Sequence, residues 1–361
     1  MKLIGIDSGG TSCRVVLCDQ TGKVLRKCTV PGHNPNADGF DALEESFRQG
    51  LSDVLANFGG LSCELAAIHV GAAGGEGGNR QILEDMLRRL LPGAKSVSVS
   101  SDALIALSAG LGRKDGGVLI AGTGTVGFLR MGETLPRFGG WGYQVDKGGS
   151  GWHLGRDGFH AAMAGYDAGL PATVLTKMYE DHLHMSMSAA IPALYRGDVT
   201  LAACAPLVFE AAREGDAVAL QILRENAACL AETVSRMYKH FNAPLTVVLT
   251  GGLLREGSLY LEMLRAQVAH LPVTLLIPNQ PPLFGAVAMA AARAGLPDDP
   301  AFSENFVLYQ SRRHAFGAPP PFPQGRLGQV PFSRPPCGKG AAERSEVGGL
   351  PFSFAKRRFY P

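Results

Sequence analysis

Short apolar runs broken by glycine open the chain: residues 2–7, 13–18 and 23–30 read as three consecutive strands, with the turn Asp19-Gln20-Thr21-Gly22 between the second and third. The period then lengthens. Phe40, Leu43, Phe47, Leu51, Val54 and Phe58 recur at helical spacing, with Asp41 and Glu44 as a start signal and Gly59-Gly60 as a stop. A strand at 66–71, a helix near 80–91, a strand at 96–100 and a helix from 103 to about 111 complete a β-β-β-α-β-α-β-α unit. After Lys114-Asp115-Gly116-Gly117 the same grammar restarts with a strand, a glycine turn and another strand. A glycine-rich stretch at 139–155, a helical region from about 156 to 241 and the strand 245–250 follow. The restart predicts an internal duplication, and with it two α/β domains facing each other over a cleft.

The pattern ends at Pro297. Eleven of the chain's 23 prolines lie in the last 65 residues, as in Ala318-Pro319-Pro320-Pro321-Phe322-Pro323, so 297–361 reads as a disordered or poorly packed tail. A proline-rich ligand for an SH3-type domain is the functional alternative. The tail carries nine Lys/Arg against five Asp/Glu, which leaves the rest of the chain at 25 against 27, or −2. The formal charge of +2 is too small to point to nucleic acid. No run approaches the ~20 apolar residues of a membrane span, and Lys2-Leu3-Ile4-Gly5-Ile6 is no signal peptide, so a cytoplasmic protein is expected. Seven cysteines without a C-x-x-C pair read as scattered reduced thiols, and histidines 153, 160, 182 and 184 as surface or core residues.

Chemistry enters with the two glycine turns. Ile4-Gly5-Ile6-Asp7-Ser8-Gly9-Gly10-Thr11 and Val118-Leu119-Ile120-Ala121-Gly122-Thr123-Gly124-Thr125 each sit between strand-like runs. Glycine has no Cβ, so such turns let backbone N–H groups and threonine hydroxyls approach phosphate oxygens, and two of them can grip one triphosphate. Asp102 ends the strand 97–101, Gly139-Gly140-Trp141-Gly142 follows the second turn, and Gly251-Gly252 closes the strand 245–250, about 125 residues beyond that turn. Pro281-Pro282-Leu283-Phe284-Gly285-Ala286-Val287 then enters an alanine-rich helix.

In these ordered motifs the chain resembles the acetate and sugar kinase/actin-like ATPase superfamily. Within it, Gly139-Gly140-Trp141-Gly142 and Gly148-Gly149-Ser150-Gly151 resemble the BadF/BadG/BcrA/BcrD-type ATPase group that includes N-acetylglucosamine kinase. The resemblance covers about residues 2–296. It implies two ribonuclease H-like (actin-like ATPase) domains, 1–115 and 116–296, with a cleft between them and a last helix at about 283–295 that can pack back on the first. The implied ligands are ATP, Mg²⁺ and a sugar, and a homodimer is compatible with it.

Phosphoryl transfer needs the γ-phosphoryl in line with the acceptor hydroxyl, its charge neutralised, and a base beside that hydroxyl. The resemblance assigns Asp7 to Mg²⁺ through water, and Gly9, Gly10, Thr11, Gly122, Thr123, Gly124 and Thr125 to phosphates. It assigns Gly251 and Gly252 to the adenosine side and Asp102 to the general base. Asn34, Gly140, Trp141 and Asp146 fall to the sugar. By position alone, Asp7 is also a turn-forming aspartate, Asp102 a helix N-cap, Trp141 a core residue and the Gly251-Gly252 pair a strand-to-helix turn. Counting from Trp141, Lys147 stands where the best-known kinases have their sugar-binding Asp; Asp146 precedes it, as in other members.

The expected activity is therefore ATP-dependent phosphorylation of N-acetylglucosamine to its 6-phosphate, with glucosamine or another hexose as alternatives. An ATPase activator of a 2-hydroxyacyl-CoA dehydratase needs a cysteine in a glycine-rich loop after the second turn. No cysteine lies between Cys63 and Cys204. A non-catalytic regulator would lack Asp102 or carry an N-terminal helix-turn-helix.

Overall fold

The computed structural model describes residues 1–168 and 172–310. Strands β1 (Lys2–Ser8), β2 (Ser12–Asp19) and β3 (Val24–Pro31) form an antiparallel meander. Helices α1 (Pro35–Asp38) and α2 (Phe40–Leu55) follow, then β4 (Ala67–Ala72), α3 (Gly78–Leu90), β5 (Val97–Ser101) and α4 (Asp102–Leu111). The second run is β6 (Gly116–Ala121), β7 (Thr125–Arg130), β8 (Arg137–Phe138), then five helices: α5 (Gly151–Ala168), α6 (Leu175–Leu183), α7 (Met187–Arg196), α8 (Ala205–Arg213) and α9 (Ala217–Phe241). It closes with β9 (Leu245–Thr250), α10 (Leu259–Val268), β10 (Val273–Leu276), α11 (Pro282–Arg293) and α12 (Pro300–Gln310).

The duplication is visible in the sheets. The first has the order β3-β2-β1-β4-β5 and the second β8-β7-β6-β9-β10, the same order when each is counted from its own first strand. In both, the first strand pairs antiparallel with the second and parallel with the fourth. Mixed sheets of this kind place ligand-facing turns at the carboxyl ends of the parallel strands, and both glycine turns sit at such ends. The second half differs by what is inserted: α5–α9 stand between its third and fourth strands, where the first half has α1, α2 and a short 3-10 turn at Gly60–Ser62.

Alternation along the strands divides the core. Ile4, Ile6, Val15, Ile68 and Val70 pack toward α2 and α3, while Leu3, Val16 and Ala67 pack with Val287 and Ala290 of α11. Helix α4 turns Ala103, Ala106 and Leu107 toward Val118, Phe128 and Val248 of the second sheet. Its Ile105 lies against Gly71 of the first, and a Cβ on Gly285 of α11 would strike the Ile105 carbonyl. A glycine contact that close fixes the crossing of α4 and α11, so the two helices act as one spacer between the sheets.

One expectation is corrected. Pro300–Gln310, read as part of a structureless tail, is helical. Phe302 and Phe306 are buried against Phe284, and Asn305 Nδ2 donates to Thr21 O at 2.7 Å. An i,i+4 aromatic pair is too short a pattern to announce a helix, and it is the face of α11 that gives it a partner. The proline-rich remainder from 311 lies outside the described residues.

Candidate active site

Asp7 lies one residue before the end of β1 with its carboxylate against Arg14 of the neighbouring strand, Nη1 to Oδ2 at 3.2 Å. The register makes this pair: Asp7 and Arg14 are directly opposed across the first turn. Burial pushes the Asp7 carboxyl above its ordinary range, and the guanidinium pulls against it. Gly10 is open, since a Cβ there would meet nothing within 4 Å, whereas a Cβ on Gly32 would strike the backbone of Gly9 and Ser12. The first turn is thus closed from behind by Gly32 and free in front.

Asp102 stands at the carboxyl edge of the same sheet, one residue beyond the β5 partner of Ala72. The cap role is taken by its neighbour: Ser101 Oγ accepts from Leu104 N at 3.3 Å. Asp102 accepts locally, from the adjacent Ala103 N at 2.9 Å. Burial raises its carboxyl to about 6, with the charges of Asp7 and Glu76 acting in the same direction and the Ala103 bond opposing. A carboxyl titrating near neutrality is what a general base requires. Glu76, on the loop after β4, is a contributor that the sequence reading did not pick out.

Asn34 is spent locally in part: its Oδ1 accepts from Asn36 N at 2.9 Å as the N-cap of α1, and its own N–H donates to Asp38. The same loop meets the one after β4, where Asn79 Nδ2 donates to Asn36 Oδ1 and to Gly74 O, each at 2.9 Å.

In the second turn, Gly122 N donates to Gly124 O at 2.9 Å, and Thr125 Oγ1 donates back to Ile120 O at 3.1 Å. Gly122 and Gly124 face open space. Behind the turn stands the start of α5, whose Gly151 and Trp152 N–H groups donate to the Gly122 and Thr123 carbonyls at 2.7 and 3.2 Å. The turn's carbonyls are therefore occupied from one side. Of the next glycine pair, Gly251 has φ +102° and abuts Ala121 of β6, where a Cβ would strike the carbonyl. Gly252 is open. The pair splits into one backbone requirement and one free face.

Trp141 is 65% exposed, with the Arg137 guanidinium 4.7 Å from its ring, so the core alternative for this residue falls. Arg137 also donates to the Gly139 and Gly140 carbonyls. The Asp146 carboxylate accepts from Gly142 N at 3.1 Å, closing the loop 139–146 on itself, and Lys147 turns away to Glu232 of α9 at 3.3 Å. The structure thus brings Asp7, Asp102 and the first turn to one sheet edge. Gly122–Thr125 and Gly252 lie at the equivalent edge of the other sheet, with the Trp141 loop tied to α5. Open glycines where a Cβ would otherwise stand suit a nucleotide's phosphates, and a largely buried carboxylate at Asp7 that keeps a small exposed face suits hydrated Mg²⁺.

The sequence pattern of the BadF/BadG/BcrA/BcrD ATPase family matches residues 4–290. The N-acetylmuramic acid/N-acetylglucosamine kinase of Clostridium acetobutylicum is 29% identical over 299 residues, covering 80% of this chain and 97% of its own. The N-acetyl-D-glucosamine kinase of Dictyostelium discoideum is 27% identical, over 73% and 89%. Among solved structures, a ROK family glucokinase from Streptomyces griseus in complex with glucose and AMPPNP superposes with a TM-score of 0.54 at 22% identity, over 81% and 99%. That likeness shows the fold.

Proposed function

The chain belongs to the BadF/BadG/BcrA/BcrD ATPase family, and from that premise we propose that it is an ATP-dependent sugar kinase acting on N-acetylglucosamine, with Asp102 as the general base. Two relatives carry N-acetylglucosamine kinase in their names, one of them together with N-acetylmuramic acid, and a third is a glucosamine kinase, so together they support an amino sugar as the substrate class. The observation that carries the catalytic reading is the pairing of Ser101 and Asp102: the serine caps α4, which leaves the aspartate free at the sheet edge with its carboxyl raised to about 6.

In this reading the ionised Asp102 takes the proton of the acceptor hydroxyl, and that oxygen forms a bond to the γ-phosphorus of ATP. The bond from the γ-phosphorus to the bridging oxygen breaks, and ADP leaves. Open glycines at 10, 122 and 124 leave room for phosphates to approach the two turns, although the Gly122 N–H is itself held by Gly124 O, and Gly252 gives the adenosine a flat approach. Mg²⁺, when bound, supplies charge neutralisation at the phosphates, and Asp7 would hold it through water once Arg14 lets go. The loop 139–146 and Asn34 orient the sugar; Asp146 does so from within the loop it closes, so the Lys147 departure removes no carboxylate from the site.

The test is ADP release by the full chain against a panel of amino sugars and hexoses. A strong stimulation by N-acetylglucosamine is expected. Stimulation by a sugar lacking the amino or N-acetyl group would overturn the substrate, and no stimulation by any sugar would overturn the kinase.

A further inference from the structure

Of the surface and core alternatives for His153, the structure gives the core: it is 1% exposed, and both ring nitrogens are engaged. Ser150 Oγ lies 2.6 Å from Nδ1, and Nε2 lies 2.8 Å from the carbonyl oxygen of Asp146. A carbonyl can only accept, so the ring donates from Nε2 and accepts at Nδ1 from the serine hydroxyl. This assigns one neutral tautomer. Burial agrees, holding the imidazole below its ordinary range.

The two ends of that ring belong to different machinery. Asp146 closes the loop that carries Trp141. Ser150 precedes α5, whose Gly151 and Trp152 N–H groups hold the Gly122 and Thr123 carbonyls of the second turn. The start of α5 is itself anchored, because Asn226 Oδ1 accepts from Gly149 N at 2.8 Å and Tyr260 Oη donates to Gly149 O at 3.1 Å. Trp152 reinforces the link, its ring stacked on Tyr143 of the loop at 4.4 Å. The turn, the helix start, the buried ring and the loop are thus joined by consecutive contacts.

We propose that His153 is a positioning residue that couples the loop 139–146 to the phosphate turn at 122–125, so that occupancy of one orders the other. The inference rests on the ligand assignments of the proposed kinase, but its first test needs no sugar. Hydrogen exchange of the loop is followed in the full chain with and without Mg·AMPPNP. In the wild type, nucleotide should slow exchange across 139–146. In His153→Ala the nucleotide should still bind while the loop no longer responds. His153→Gln, which keeps an N–H donor at comparable reach, should restore the response. Ser150→Ala, which removes the hydroxyl at Nδ1 without opening a large cavity, should weaken it and serves if His153→Ala does not fold.

The second readout is synergy. Saturating sugar should tighten AMPPNP binding in the wild type and in His153→Gln, about tenfold if the coupling is of ordinary size, and should leave it unchanged in His153→Ala. Equal loop protection in the wild type and His153→Ala overturns the coupling, as does a wild-type loop that ignores nucleotide. A loop that responds in the wild type and in His153→Gln but not in His153→Ala, in a protein that phosphorylates no sugar, upholds the coupling and overturns the proposed kinase.

Discussion

The two halves share a strand order and a glycine turn but not their chemistry. The first sheet carries the carboxylates at its edge, Asp7 and Asp102, both pushed up by burial and the second also by the charge of the first. The second sheet presents backbone at the corresponding place: Gly122, Gly124 and Gly252 open, Gly251 packed against β6. Its large addition, α5–α9, supports that backbone from behind and carries the Trp141 loop. In the proposed kinase, a duplicated fold is divided into a half that would supply proton and metal chemistry and a half that would supply shape and hydrogen bonding. Substitutions in the first should change rate, and substitutions in the second should change binding.

The sharpest test of that division is Asp102→Asn. Loss of a general base costs about 10²–10⁴-fold in rate, and Mg·ATP affinity measured by calorimetry should hardly move. The raised carboxyl sets two opposite pH trends. The proposed general base acts in its ionised form, so kcat/KM should climb as pH rises through about 6. Stability runs the other way: a carboxyl held above its ordinary 3.8 contributes fully below that value, and the contribution is lost as pH rises through about 6. Asp102→Asn should therefore flatten both profiles and melt above the wild type at pH 8. Near-normal turnover would reduce Asp102 to a helix residue.

Next in size is the end of the fold. The composition of 297–361 suggests that the whole segment is dispensable, but Phe302 and Phe306 fill the face of α11 that rests on the first sheet. Deleting residues 298–361 removes both rings, each worth about 3–5 kcal/mol by comparison with Phe→Ala in cores. The melting temperature should drop by roughly 10 °C, whereas deletion from 311 should leave it in place. Equal melting of the two truncations would return the helix to the tail.

Much of this was legible in the chain. The meander, both turns and the restart at Gly116 follow from glycine punctuation and strand-length apolar runs, which are local signals. β8 and β10 were not, being two and four residues long and defined only by their neighbours. The assignment of the cap to Ser101 over Asp102 turns on where the backbone passes from extended to helical, Ser101 being extended and Asp102 the first helical residue, a one-residue boundary that spacing does not encode. His153 was invisible for a related reason, because its meaning lies in a carbonyl seven residues away that only the folded loop brings to it.

Within the second half, the glycines separate binding from folding. Gly124→Val puts its side chain into space where nothing lies within 4 Å of the Cβ, so melting should be unchanged while affinity for Mg·AMPPNP falls about tenfold or more. Gly251→Ala should do the reverse in order of cause, lowering stability first, because φ +102° and the Ala121 carbonyl both oppose a Cβ. A Gly124→Val protein that binds nucleotide normally would make the second turn structural and break the comparison between the halves.

The smallest effect is expected at Lys147. Its side chain is 79% exposed and its partner Glu232 is 52% exposed, and an ion pair so open to solvent is worth about 0–1 kcal/mol at most. Lys147→Ala should shift the melting temperature by no more than about 2 °C, less still at high salt, where the pair is screened. The sugar KM should stay within about twofold, because the lysine points to α9 while the Asp146 carboxylate, which closes the loop on Gly142, is untouched. Asp146→Asn is the matched contrast: an amide keeps an acceptor for Gly142 N but loses the charge, so a rise in sugar KM there, with none at Lys147, would locate acceptor recognition at 146. A KM that instead responds to Lys147→Ala would mean that the lysine leaves Glu232 when the sugar binds, and that recognition by the second half is not confined to its backbone and the loop that Asp146 closes.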